Sequence, residues 1–116
     1  MKNPIREALP NVPGHWFKGD VTDWNGNYCG VGHVMNMGGS HSNLMQAARI
    51  MDRVANELYP ERAREWFANF NDHVDTTETE VLAVMQKAAN VLDVEREAEQ
   101  VIANAFSFTE EVDVLV

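Results

Sequence analysis

The stretch TETEVLAVMQKAANVL, Thr77 to Leu92, settles the fold class. Its apolar residues Val81, Leu82, Met85, Ala88, Ala89 and Leu92 recur at three- and four-residue steps, the period of one helix face. Thr77 and Glu80 stand three apart at its head, so the Thr77 hydroxyl can accept from the Glu80 amide while the Glu80 carboxylate reaches back to the Thr77 amide. A helix that announces its own start and carries a full apolar stripe must pack on other helices or a sheet.

Working outward, the neighbours are helical too. Upstream, Leu44, Ala48, Met51, Ala55 and Leu58 step in the same way, with Ser40 or Ser42 placed to cap and Gln46, Arg49, Asp52, Arg53, Asn56 and Glu57 on the other side. Pro60 suits the first turn of a following helix, whose stripe Ala63, Trp66, Phe67 and Phe70 is expected in the core. Residues 3 to 9 predict a helical turn before Pro10 and Pro13. Downstream, Val94, Ala98, Val101, Ile102, Ala105 and Phe106 predict a last helix or a bent extension, with Glu95, Glu97 and Glu99 outward. The tail from Glu110 to Val116 alternates like a strand, but no segment offers itself as its partner.

The remaining stretch, Gly14 to Gly39, is rich in Gly, Asn and Asp, with a turn at Asn25-Gly26-Asn27 and a helix start near Tyr28. A loop or short hairpin folded over the helices is expected. The predicted architecture is therefore mainly α: one small domain of four to five helices with this Gly/Trp-rich loop packed on it. Residues 1–13 form an N-terminal segment, 14–92 the helical domain, and 93–116 an acidic C-terminal helix and tail.

At 116 residues the chain fits a single domain, and 45% hydrophobic with 23% charged residues is an ordinary globular composition. Residues 1–71 hold seven acids and seven bases, whereas residues 72–116 hold eleven acids against Lys87 and Arg96, so the whole net charge of −9 falls in the second part. Direct nucleic-acid binding is disfavoured, because phosphate contacts need clustered Lys and Arg. No apolar run approaches the roughly 18 residues of a membrane span, and none forms a signal-peptide core, so a cytoplasmic protein without membrane contact is expected. The single cysteine, Cys29, rules out an internal disulfide and a cysteine-only zinc cluster.

The residues with reactive chemistry are few. Cys29 and His33 would share a face of a helix starting near Tyr28 and could ligate an ion together with His41 or His73, but no HExxH or CxxC organises them and no cofactor or metal is expected. Cys29 as nucleophile, with His33 or His73 as base and Asn71 or Asp72 as orienter, has the right residue types and nothing more. In the competing reading Cys29 is a small buried hydrophobe, His33 is partly exposed, and Gly30 and Gly32 let a neighbouring element approach. Asn71-Asp72 reads as a turn anchor, with Asp72 also suited to the start of the helix after Thr77. Trp16, Trp24, Phe17 and Tyr28 could line an aromatic cradle, or simply bury surface.

Taken together, Trp16-x-x-Gly19, Gly26-x-x-Cys29-x-x-Gly32, Asn71-Asp72 and Thr77-x-x-Glu80-Val81-Leu82 with Ala88-Ala89 resemble a family of small domains of unknown function found in actinobacteria and their phages. The resemblance covers roughly residues 14 to 90. Phe70 stands where that pattern has Trp, and His33 where it has Ala. The resemblance implies a helical fold and a phage origin but no reaction. The resulting expectation is a non-enzymatic acidic protein acting in the host cytoplasm by binding a host or phage protein, with a homodimer as a candidate state. The alternatives are a small enzyme or metal-binding protein built on Cys29, and an acidic mimic of nucleic acid presenting Glu95, Glu97 and Glu99.

Overall fold

In the computed structural model the backbone is described for residues 2–115 and the side chains for residues 2–106. The described residues form six α-helices: α1 Pro4–Ala8, α2 Gly30–Asn36, α3 His41–Leu58, α4 Pro60–Ala63, α5 Phe67–Asp72 and α6 Glu78–Leu115, with a 3-10 turn at Leu9–Asn11. The mainly helical class is as expected. The extra helix arises because the stretch after Pro60 breaks: Arg64 and Glu65 take left-handed backbone, φ 44° and 82°, and end α4 before α5 begins.

Local chemistry explains the boundaries. Asn3 caps α1, its side-chain oxygen accepting from the amides of Ile5 and Arg6. Ser40, the first of the two candidates, caps α3 by accepting from the Asn43 amide. At α6 the expected reciprocal cap is complete: Thr77 Oγ1 accepts from the Glu80 amide at 3.2 Å, and Glu80 Oε1 accepts from the Thr77 amide at 2.9 Å.

The core lies where α3 and α6 cross α1, α2 and α5. Phe67, Phe70, Met51, Met85, Leu92, Ile5 and Val12 are fully buried within it, so the first thirteen residues contribute directly to the core. Two stripes need correction. On α3 the buried face is Ala47, Ile50, Met51, Val54 and Ala55, whereas Leu58 is exposed, because the helix meets α6 and α5 on a face rotated from the predicted one. Trp66 is not in the core: it follows the left-handed break and is the N-cap of α5, more than half exposed.

The C-terminal part is one uninterrupted helix. α6 runs to Leu115, so the strand-like reading of Glu110 to Leu115 is overturned, Val116 lying outside the described residues. At 1.5 Å per residue a 38-residue helix is about 57 Å long. The long principal extent of 63 Å against 29 and 19 Å reflects this helix running past the body.

Candidate functional site

Residues 14–39 wrap the helices as a clasp. Among the described residues the loop holds no regular strand, only isolated bridges of Tyr28 with Trp16 and with Thr22, so the hairpin shrinks to single pairs. Asp23 organises its tip: one carboxylate oxygen accepts from the Asn25 and Asn27 amides at 2.8 and 3.2 Å, and the other from Asn27 Nδ2 at 2.7 Å. These bonds, that of the Asn27 side chain foremost, hold the Asp23 carboxyl below the usual carboxylate range. Gly26, at φ 86°, supplies the left-handed step that closes the turn.

The clasp is pinned by Asn71, fully buried on α5. Its side-chain oxygen accepts from the indole Nε1 of Trp16 at 2.7 Å and the Gly30 amide at 3.0 Å. Its Nδ2 donates to the Phe17 carbonyl at 3.1 Å and to Asp72 Oδ1 at 3.0 Å. An amide has two acceptor lone pairs and two donors, and all four are used. Asp72 accepts from the Gly19 amide at 2.9 Å, so it anchors the loop instead of facing the start of α6. Lys18 Nζ donates to the His73 carbonyl at 2.6 Å and lies 5.6 Å from the centre of the Trp16 ring. The sequence places Asn71 and Asp72 at a turn but does not show that their partners in the clasp lie more than forty residues away.

The two helix-opening glycines are steric requirements. A Cβ on Gly30 would sit 2.6 Å from the Phe67 ring, and one on Gly32 only 2.4 Å from the Val21 carbonyl oxygen. Cys29 caps α2, its Sγ accepting from the Gly32 amide at 3.3 Å, and burial pushes the thiol up from its usual range. His33 is buried, contrary to the partly exposed position expected. Its Nε2 meets the His15 carbonyl at 2.9 Å and its ring tilts against Tyr28 at 5.1 Å. Burial lowers its pKa.

The reactive types therefore do not assemble. Cys29 bonds Gly32 and His33 bonds His15, while His41 opens α3 and His73 ends α5, bonding the Asp75 amide. Among the described residues no group of three or more His, Cys, Asp or Glu could hold a metal ion. The aromatic cradle also dissolves: Trp16 is half-buried on Asn71, while Trp24 is 89% exposed at the loop tip. An open hollow of about 380 Å³ beside the clasp brings His15, Tyr28, His33 and Asn36 to one wall.

The acidic triplet divides likewise. Glu95 pairs with Arg53 at 2.5 Å and Glu99 accepts from Gln46 at 3.3 Å, both toward α3. Glu97, 200° round the helix from each, faces away. They do not form one acidic face.

What these features define is a small helical domain whose loop is locked to its core by a buried asparagine. The chain belongs to the family of unknown function DUF6197, which it matches over residues 6–91. No curated protein and no solved structure matches it. The family region thus takes in the clasp, Asn71, Asp72 and the capping box, and ends within α6, one residue before the core residue Leu92. Among the described residues no helix is long and apolar enough to cross a membrane.

Proposed function

We propose that this protein is a binding module without chemistry of its own, docking on a host or phage protein in the host cytoplasm through the tip of its clasp. One observation carries the reading. Trp24 is 89% exposed, and its backbone is held at φ 66°, a left-handed conformation that costs a bulky residue on the order of 1 kcal/mol or more. A fold that keeps a large apolar ring in water on a strained backbone gains no stability from it.

The tip is also held in place: the Trp24 amide donates to Thr22 Oγ1 at 3.1 Å, and Asp23 ties down both sides of Asn25. A ring on a pre-set backbone loses little freedom on docking, and tryptophan is among the side chains that dominate interface energies. Val21, nearly half exposed, adds apolar surface nearby, and Asp20 and Asp23 flank it with negative charge. The fitting partner offers an apolar pocket with a basic rim.

Trp24→Asn tests this. Asparagine tolerates left-handed backbone, so urea unfolding should stay within about 1 kcal/mol of the parent. Capture of the partner from host lysate should fall by about tenfold or more, as for a typical interface anchor. Unchanged capture by this variant would remove the reading.

A further inference from the structure

We infer that the projecting end of α6 is a pairing arm for a second copy of the chain, forming a parallel, in-register two-stranded coiled coil. The inference is independent of the Trp24 reading and concerns the opposite end of the molecule.

From Val91 the apolar positions advance by alternating steps of three and four: Val91, Val94, Ala98, Val101 and Ala105, and the sequence keeps the register through Phe108, Val112 and Leu115. That is five consecutive apolar positions among the described side chains, with the spacing continued in the sequence, a 3.5-residue period and not the 3.6 of a helix lying on a globular core. One step back the register meets Lys87, which pairs with Glu57 at 3.1 Å, so the seam starts at Val91. Val94 and Val101 are both more than 60% exposed, and an apolar hollow lined by Val91 and Val94 marks the root of the seam.

Beyond Val91, which is half-buried against the core, the body leaves this side of α6 open. It grips the helix through Leu92 in the core, Glu95 on Arg53, Glu99 on Gln46, and Arg96, which donates to Asn43 and to the Lys2 carbonyl. Two residues along a helix turn the direction by 200°, so Val94 and Ala98, on either side of Arg96, point away from the body. Two copies can therefore meet along the seam with their bodies outside.

The unbroken 3.5-residue register fits a second copy of the same arm, and the flanking residues set its direction. The flanking positions of a parallel in-register pair set Asn90 against the partner's Glu95, Glu97 against the partner's Ile102, and Asn104 against the partner's Thr109, with no like charges opposed. An antiparallel pair centred on the same seam would set Glu97 against the partner's Glu111.

The experiment is sedimentation of the full chain across the micromolar range, with Val101→Asp, plus oxidation of Val94→Cys. The parent should sediment as a dimer. Val101→Asp should weaken pairing by about 100-fold or more, since a charge in a dry seam has no partner. Val94→Cys should cross-link to its own copy, whereas the parent, with Cys29 buried, should not. In the antiparallel arrangement position 94 would lie far from its copy. A monomeric parent, a Val101→Asp variant that pairs as well as the parent, or a dimer without the cross-link overturns the inference. Any of these leaves partner capture through Trp24 to be judged on its own.

Discussion

The clasp and the end of α6 are both rich in apolar and polar side chains, and they use them in opposite ways. Between Gly14 and Gly39 the groups with reactive chemistry are turned inward and given partners: Cys29 on Gly32, His33 on His15, Trp16 on Asn71. Beyond Asp93 the large apolar side chains Val94, Val101, Ile102 and Phe106 are turned outward. The family match covers the first region and stops at residue 91, before the second. Residues that look like chemistry are here structural, and residues that look like core are left on the surface. An unusual composition thus marks a tightly determined loop as readily as an active one, and an apolar helix stripe marks a core only where something is there to cover it.

The comparison is broken most directly at Asn71. In Asn71→Ala the Trp16 indole N–H, the Gly30 amide and the Phe17 carbonyl lose their partner together. Leaving buried polar groups unsatisfied costs about 1–3 kcal/mol each, partly relieved where water enters, so a loss of about 3 kcal/mol in urea unfolding is expected. A change below about 1 kcal/mol would mean that the clasp is not held by this residue.

A smaller effect is expected from pH. Burial, the largest influence on His33, lowers its pKa from the usual value, outweighing the His15 carbonyl bond that favours the charged form. The unfolded chain therefore takes up the proton first. The stability due to the neutral ring is fully present above about pH 6.5 and is lost as pH falls through the lower folded value. Unfolding midpoints between pH 7.5 and 5 should drop more for the parent than for His33→Gln. An equal drop in both would place the pH sensitivity elsewhere and leave the clasp indifferent to its histidine.

How far this division was legible in the sequence differs by region. Period and caps alone locate α3, α6 and the reciprocal Thr77–Glu80 cap, because those signals are local. The turn at Gly26 and the close approaches at Gly30 and Gly32 follow from residue type. The partners of Asn71 were not legible, since a side-chain amide gives no hint of which distant backbone it will meet. The α3 face was placed a step off, because Leu44, Ala48 and Leu58 compete with Ala47, Ile50 and Val54 for the same period, and only the packing of α6 and α5 decides between them. The exposure of Trp66 was hidden in the left-handed pair Arg64 and Glu65, residue types that carry no such preference.

The smallest effect is expected from Phe106→Asp, and its smallness is what sharpens the comparison. A phenylalanine replaced by a carboxylate in a core would cost several kcal/mol, through lost burial and an unpaired charge. Phe106 is 69% exposed on the part of α6 that has left the body, and neither residue type favours a helix strongly. Unfolding of the body should therefore shift by no more than about 0.5 kcal/mol, within the range of surface substitutions. Five residues from Val101 along the helix, Phe106 points about 140° away from the pairing seam, so sedimentation should also be unchanged. A loss of about 2 kcal/mol or more would show that the arm folds back on the body in solution, and the contrast between a closed clasp and an open arm would fail at its second half.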